Sequence, residues 1–564
     1  MDNKQQIADV LSQALGDNIL SNIDILNKIE VPKTSDLGDL AFPTFMLAKV
    51  MRKAPQQIAT DLVEKIDKNN FEKVVAMGPY VNFFLNKEKV GAQILTDILT
   101  QQANYGTNND GENGNVTIDM SSPNIAKPMS MGHLRSTVIG NALANIFSKN
   151  GYNPIKINHL GDWGTQFGKL MVAYKLWGSE EEVKKDPINT LVKYYIRFHE
   201  EAKENLALDD EGRAWFKKLE DGDQEATKLW KWFRDESLKE FLTIYDELEI
   251  NFDSFNGEAF YNDKMDQVVK MLTEKGLLVE SQGAQIVNLE KYNLPVAMIK
   301  RTDGATLYMT RDLAAAMYRK NEYNFVKNLY VVGGEQREHF QQMKAIFKEA
   351  SYDWADDIEH IPFGLITVNG KKLSTRSGRI ILLQDVLDDA IRLAREQIET
   401  KNPDLANKEN VAKQVGIGAV VFHDLKNERV NSFDFALEEV VRFEGDTGPY
   451  VQYSHARAQS ILRKAGNPDL TTTNLVISDA SAWDTIKILG DFPNIVRRAL
   501  RDREPSVIAK YALNLSRAYN KYYANSRILA EDNELLARLG LVKAVAIVLT
   551  ESLRMLGVHA PNEM

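Results

Sequence analysis

The sequence predicts a multidomain α/β protein with a parallel-sheet domain at its centre, a small α+β unit before it and an all-α domain after it. Three observations carry that expectation. The chain has 564 residues, too many for one hydrophobic core, so roughly two to four domains are expected. Residues 115–160 run strand, loop, helix, strand, the order of a βαβ unit. From about residue 380 the apolar residues recur almost only at helical spacing.

The first domain is expected over residues 1–106. "GDNILSNIDILNKIEV" and residues 40–66 have helical periodicity, and "YVNFFLN", 80–86, reads as an aromatic strand. "TNNDGENGN", 107–115, has the composition of a linker. In "NVTIDM", Val116, Ile118 and Met120 alternate with Thr117 and Asp119, as in a strand. Leu134, Val138, Leu143, Ile146 and Phe147 then mark a helix that Gly151 closes, and "PIKINHL" is the next strand. Residues 180–250 are charged and helical, and read as an insertion into a domain spanning 107–385. Within that domain "NLYVVGG" and "HIPFGLITV" are strands, and "DLAAAMYRKN" and "REHFQQMKAIFKEA" are helices. A helical connector is expected over 386–440 and a helical domain over 441–564, with three or so helices in 483–557.

Composition narrows the chemistry. The chain is 44% hydrophobic and 26% charged, with formal net charge −10, which suits a globular protein rather than a general nucleic-acid binder. It contains no cysteine, so disulfides, thiolate catalysis and cysteine-based zinc sites are excluded. The eight histidines show no paired ligand spacing, so no metal site is expected. There is no apolar run long enough for a membrane span, and the N-terminus lacks a secretory pattern. A reducing cytoplasm is the expected compartment.

"SSPNIAKPMSMGHLRSTVIG", 121–140, is the most informative stretch. The loop leaves the C-terminal end of a parallel strand, where open α/β sheets bind ligands. It enters a helix whose unpaired N–H groups and dipole favour phosphate. Gly132 permits close approach, His133 can donate to a phosphoryl oxygen, and Lys127 supplies charge. The same pattern also fits a capped helix entry with a satisfied histidine. A second basic segment, "KKLSTRSG", 371–378, follows another strand. It reads either as a solvated turn or as a loop that closes on the phosphates from the other side.

At this point the chain resembles the arginyl-tRNA synthetases, a family of class I aminoacyl-tRNA synthetases, over nearly its whole length. "SSPNIAKPMSMGHLRST" resembles the arginyl form of the HIGH signature. "NHLGDWGTQFG", "YMTRDLAAA", "VVGGEQREHF", "GDTGPYVQYSHAR", "LSRAYNKYY" and the terminal "LGVHAPNEM" are similar to further stretches of that family. The resemblance implies a Rossmann-type catalytic domain, an N-terminal domain at the tRNA elbow and a helical anticodon-binding domain. It implies ATP, with Mg²⁺, L-arginine and tRNA(Arg) as substrates, an arginyl-adenylate intermediate, no prosthetic group and no zinc; a monomer is expected. Two positions depart from the usual pattern. Ser130 replaces the first signature histidine, and Thr375 replaces the second lysine of the KMSKS loop, which here reads Lys372, Leu373, Ser374, Thr375, Arg376. In arginyl enzymes with that loop change, a lysine at the place of Lys127 is thought to compensate.

The residues implied by the resemblance follow. ATP would meet Lys127, Ser130, Gly132, His133 and Lys372, with Ser374 and Arg376 also serving catalysis. Arginine would meet Asp119, Ser122, Asn124, Tyr308, Asp312 and Gln336. A guanidinium wants carboxylates in fork geometry, although Asp312 could equally be a first-turn acid facing the helix dipole and Asp119 a strand-end acid. tRNA would meet Tyr80, Asn82, Arg498, Tyr519 and Met564. Residues 496–527 interleave arginines and lysines with Tyr511, Tyr519, Tyr522 and Tyr523, giving either a basic aromatic face or core tyrosines beside solvated cations. Two rival readings are another class I specificity, cysteinyl, which the missing zinc-ligand cysteines disfavour, and a tRNA-binding protein with a decayed site.

Overall fold

The computed structural model describes residues 3–16, 19–69, 71–301, 308–368, 370–372, 381–470 and 474–564. The chain forms two compact units: residues 1–105, 458–492 and 517–548 make the first, and 106–457, 493–516 and 549–564 the second.

In the first unit, β1 (Leu40–Pro43), β2 (Phe71–Met77) and β3 (Tyr80–Leu85) form an antiparallel sheet in the order β1-β3-β2. Ile7 and Leu11 of helix Asn3–Leu15, and Ile58 and Leu62 of helix Pro55–Lys65, bury Phe42, Val81 and Phe83. Residues 40–66 are therefore not one helix, as their periodicity predicts. Pro43 cannot sit inside a helix, and Leu40 to Phe42 pair instead with Phe83 to Val81. Pro55 then starts the real helix at its first turn. Helix Lys87–Gln101 packs on residues 483–492: a Cβ at Gly490 would lie 2.7 Å from Ile94, and the Tyr105 hydroxyl donates to Leu489 O at 3.2 Å.

The second unit holds the parallel sheet. β4 (Asn115–Asp119) and β5 (Asn153–Ile157) pair in parallel across helix Met131–Lys149, the expected βαβ unit. A small antiparallel sheet of β6 (Leu278–Ser281), β7 (Ala284–Val287) and β8 (Ala297–Lys300) follows the charged helical insertion. These four-residue strands are too short for periodicity to reveal. β9 (Lys327–Gly333) and β10 (Ile358–Phe363) complete the main sheet in the order β10-β9-β4-β5, with every pair parallel. β4 is central and buried on both faces, and Thr117 Oγ1 donates to Asn328 Oδ1 at 2.8 Å.

The polar stretch 107–115 follows the division between the units at Tyr105 and Gly106, and Gly111 N and Asn113 N donate to Asn150 O and Gly151 O, sealing the end of helix Met131–Lys149. One further expectation is corrected here. "HIPFGLITV" is not one strand. It breaks after β10 at Gly364, where a Cβ would lie 2.5 Å from Asn431. The chain then joins another sheet, in which β11 (Ile366–Val368) pairs with β12 (Lys371–Lys372) and β13 (Phe433–Asp434). The expected late helices are present as Gly448–Lys464, Trp483–Asp502, Ser506–Asn525 and Leu535–Met555.

Candidate active site

The loop after β4 is built to hold a shape. Ser121, Ser122 and Ala126 all adopt positive φ, which non-glycine residues accept only where surroundings enforce it. The surroundings are visible. Ser121 N donates to Ser136 Oγ at 2.9 Å, and Ser121 Oγ lies 2.7 Å from the Tyr245 hydroxyl. Ile125 N donates to Gly161 O, and Gly161 N to Pro123 O, tying the loop to the segment beyond β5.

Ser130 is the N-cap of helix Met131–Lys149, and its N–H donates to His133 Nδ1 at 3.0 Å. That bond fixes the tautomer, leaving the proton on Nε2 as a donor. Burial pushes the His133 pKa down, and the Lys127 charge adds to the effect. His133 is thus a neutral donor at physiological pH, close enough to Lys127 to feel its field. Lys127 and Gly132 are exposed. The helix dipole, the Lys127 charge and the Nε2–H donor are all groups that favour an anion. The Ser130 hydroxyl lies 3.2 Å from the same His133 Nδ1.

The second basic segment begins at β12, where Lys372 pairs with Thr367. Ser374, Thr375 and Arg376 lie outside the described residues, as does the side chain of Lys372. The residues after the segment return to the helix mouth. Met131 N donates to Ile381 O at 3.2 Å, and Leu383 N to Met129 O at 2.9 Å. Arg376 is therefore five positions along the chain from a residue bonded to the entry helix.

Acidic side chains gather at the same end of the sheet. Asp119, the last residue of β4, was expected to face the substrate. Both its oxygens are instead engaged within the protein: Arg319 NH2 donates at 2.7 Å and Ser122 Oγ at 2.9 Å. The reason is helical spacing. Arg319 lies two turns after Asp312 on helix Tyr308–Tyr323, 0% exposed, with its guanidinium 5.1 Å from the Tyr330 ring. Burial opposes the Arg319 charge, but Asp119, Tyr330 and Tyr261 more than offset it and its pKa is raised. Asp119 is itself buried, at 5% exposure.

Asp312 and Tyr308 are partly and strongly exposed, Tyr308 at 61%. Asp312 Oδ2 lies 2.6 Å from His339 Nε2, and the Tyr308 ring lies 4.9 Å from the same imidazole. Gln336, exposed, caps helix Arg337–Glu349, which carries His339. Asn124 is exposed and bridges to Gly161, and Ser122 is half-buried.

Three residues here escaped the sequence reading. Glu258 has its pKa pushed up to about 7, chiefly by burial, with Arg311 opposing and Asp312 and Asp162 reinforcing the shift. Its nearest cation is Arg311 NH1 at 3.6 Å. Asp162 accepts from Arg234 Nε at 3.0 Å and from Ala259 N at 2.9 Å. His159 has neither ring nitrogen hydrogen-bonded among the described residues, and burial pushes its pKa down against the pull of Asp119, Asp312 and Asp162. His159 and Asp162 sit in "NHLGDWGTQFG", a stretch the sequence singled out without assigning roles. Glu258, alone in "NGEAFYN", had no signal, although a Cβ at Gly257 would lie 2.6 Å from the Asp162 carboxylate.

The residues expected to meet tRNA divide. Tyr80 packs edge-on against Phe45, 5.7 Å between centroids, and Phe45 is well exposed. Asn82 is 4% exposed and its amide donates to Leu37 O, so it supports Tyr80's strand from beneath. Arg498 is exposed and paired with Asp502 at 3.4 Å. Tyr519 is 0% exposed. Tyr511 and Tyr522 are also buried, following the apolar stripe of helix Ser506–Asn525, and only Tyr523 is exposed. The expected basic aromatic face is thus mainly core tyrosine beside acid-paired cations such as Arg497 with Asp110 and Lys510 with Glu428. Met564 packs against Ala394 and Ile398, its carbonyl accepting from Asn402 Nδ2 at 3.2 Å.

Among the described residues no helix is long and apolar enough to cross a membrane, and no group of three or more His, Asp or Glu could hold a metal.

A helix mouth bearing Lys127 and His133, and a group of carboxylates, at one end of a parallel sheet match a known design. Residues 94–437 fit the family model described as tRNA synthetases class I (R), catalytic domain. Residues 2–85 fit the arginyl tRNA synthetase N terminal domain, and 451–564 the DALR anticodon binding domain. The chain belongs to the class I tRNA synthetases. It is 68% identical over 564 residues to the arginine–tRNA ligase of Pediococcus pentosaceus, covering all of both chains. It is 62% identical to that of Enterococcus faecalis, again over all of both chains. Arginyl-tRNA synthetase of Thermus thermophilus has the same fold, with TM-score 0.81, 25% identity and full coverage of both chains. Within the class, the chain is a member of the arginyl-tRNA synthetase family.

Proposed function

We propose that this protein ligates L-arginine to tRNA(Arg) through an arginyl-adenylate made from ATP, as an arginine–tRNA ligase acting as a monomer in the cytoplasm. The observation that carries the reading is the juxtaposition at the ends of β4 and β9. Lys127 and the His133 Nε2–H donor flank a helix mouth there, and Asp312 and Glu258 supply carboxylates nearby. Six residues expected from the sequence, Asp119, Ser122, Asn124, Tyr308, Asp312 and Gln336, are assigned to that region, a reading supported by the Ser122–Asp119 bond and by the shared contact of Asp312 and Tyr308 with His339. Asp312 and Glu258 receive the guanidinium, Tyr308 covers it, and Ser122, Asn124 and Gln336 meet the amino-acid backbone.

In the first step an arginine carboxylate oxygen attacks the α-phosphorus. The bond from that phosphorus to the bridging oxygen breaks, and pyrophosphate leaves with the electron pair. Lys127, His133, Gly132 and the helix dipole neutralise charge that builds on the phosphates, and the same role is assigned to Lys372, Ser374 and Arg376 of the second basic segment. This is positioning and charge stabilisation, with no covalent role for the protein. In the second step a ribose hydroxyl of the tRNA 3′ end attacks the arginyl carbonyl, and AMP leaves. Residues 1–106, through Tyr80, meet the tRNA elbow, and residues 441–564, including Arg498 and Met564, serve the anticodon, with the buried Tyr519 fixing its helix rather than meeting tRNA. Residues 107–385 perform the chemistry, and 386–440 connect.

The test is ATP–pyrophosphate exchange with L-arginine, with and without tRNA(Arg). Exchange that requires both supports the reading. Exchange with a different amino acid, or none under any condition, rejects it.

A further inference from the structure

We propose that His339 is a positioning residue for arginine selection, holding the Asp312 carboxylate by an Nε2–H donor and backing the Tyr308 ring with its face. The inference rests on the reading that Asp312 receives the substrate guanidinium.

The geometry is specific. Helix Tyr308–Tyr323 presents Tyr308 and Asp312 one turn apart, so both point from one face. Neither is fixed by burial, since Tyr308 is mostly exposed and Asp312 half-buried. A half-buried aspartate without a fixed partner samples several rotamers, each with its oxygens aimed differently. His339 comes from a second helix, Arg337–Glu349, and is itself buried. Its Nε2 lies 2.6 Å from Asp312 Oδ2, and its ring lies 4.9 Å from that of Tyr308 at 32°. Phe340 sets an edge against the same imidazole at 5.3 Å. Nδ1 is buried without a hydrogen-bond partner among the described residues, so the proton belongs on Nε2, where a strong acceptor waits. One imidazole thus orders both the carboxylate and the aromatic cover. Oδ1 is left for a planar donor. A substrate site gains affinity when its groups are ordered before the ligand arrives.

Two substitutions separate the two contacts. His339→Phe keeps an aromatic face under Tyr308 and removes the donor. His339→Gln can place an amide N–H near the position of Nε2 and removes the ring. Steady-state aminoacylation of the full-length protein is measured for each, varying arginine and ATP separately, beside a thermal melt. The expected result for His339→Phe is a tenfold or greater rise in KM for arginine, with KM for ATP and kcat within about twofold. His339→Gln is expected to recover most of that rise. An unchanged arginine KM in His339→Phe overturns the proposal. So does a loss of melting temperature in both variants with arginine and ATP constants impaired alike, which marks a packing role. Wild-type protein that activates no arginine would instead reject the parent reading, so the two failures are distinguishable.

Discussion

Replacing Glu258 with glutamine should weaken arginine binding and stabilise the protein, with both effects confined to the same pH range. The Glu258 pKa stands at about 7, raised from 4.5 chiefly by burial, with Asp312 and Asp162 adding to it. If the guanidinium binds only the ionised form, the apparent KM for arginine scales as one plus the ratio of protonated to ionised carboxyl. That factor is about 11 at pH 6, about 2 at pH 7 and about 1.1 at pH 8, a roughly tenfold fall in KM across two units. Glu258→Gln should flatten this profile. At pH 8 it should raise KM by about 10-fold or more, since a hydrogen bond to a charged group is worth roughly 1.5–3 kcal/mol. Stability runs the other way. The folded pKa lies above the unfolded one, so the folded state binds the proton more tightly. The cost of holding Glu258 ionised is absent below about pH 4.5, grows with pH and is complete above about pH 7. Two and a half units correspond to roughly 3 kcal/mol. Glu258→Gln should therefore raise the melting temperature at pH 8 and leave it little changed at pH 5. The assays are arginine KM from pH 6 to 8 and thermal melts at pH 5 and 8. A flat wild-type KM profile, or a variant less stable at pH 8, would refute the reasoning.

Other expectations are as specific. Lys127→Ala should lower the rate of adenylate formation by about 10²-fold while changing arginine binding far less, because the charge acts on the phosphates; pre-steady-state activation rates compared with arginine KM decide it, and equal losses in both would exclude a transition-state role. Arg319→Met should strand Asp119 in a buried site and destabilise the fold by about 3–5 kcal/mol, while Asp119→Asn in the same chain should restore much of it, read by melting temperature. His159→Phe removes two buried nitrogens that lack hydrogen-bond partners among the described residues, so it should leave the melting temperature unchanged or higher; a clear fall would assign those nitrogens a structural partner.

The sequence alone determined the βαβ unit, the entry helix with Gly151 at its end, the helical insertion and the late helices. Each rests on local information, whether apolar periodicity, turn chemistry or a run of motifs whose order marks the family. The same local information placed Lys127 and His133 at a helix mouth, because a strand, a turn-rich loop and a helix in succession have few ways to fold.

Only tertiary structure decided which polar groups remain available there. Asp119 and Arg319 are 200 positions apart in sequence, and nothing local announces that the second neutralises the first. Glu258 acquires its shifted pKa chiefly from burial, with Asp312 and Asp162 adding to it from two distant segments of the chain. Ser130 looks like a weakened phosphate ligand in sequence, yet its N–H is what sets the His133 tautomer. The tyrosines of 511–523 carry helical spacing that suits a core stripe and a binding face equally, and only neighbouring chain chooses between them. Periodicity reports which residues share a face. Burial and charge pairing depend on what the rest of the chain brings to that face, and that was settled only when the fold closed.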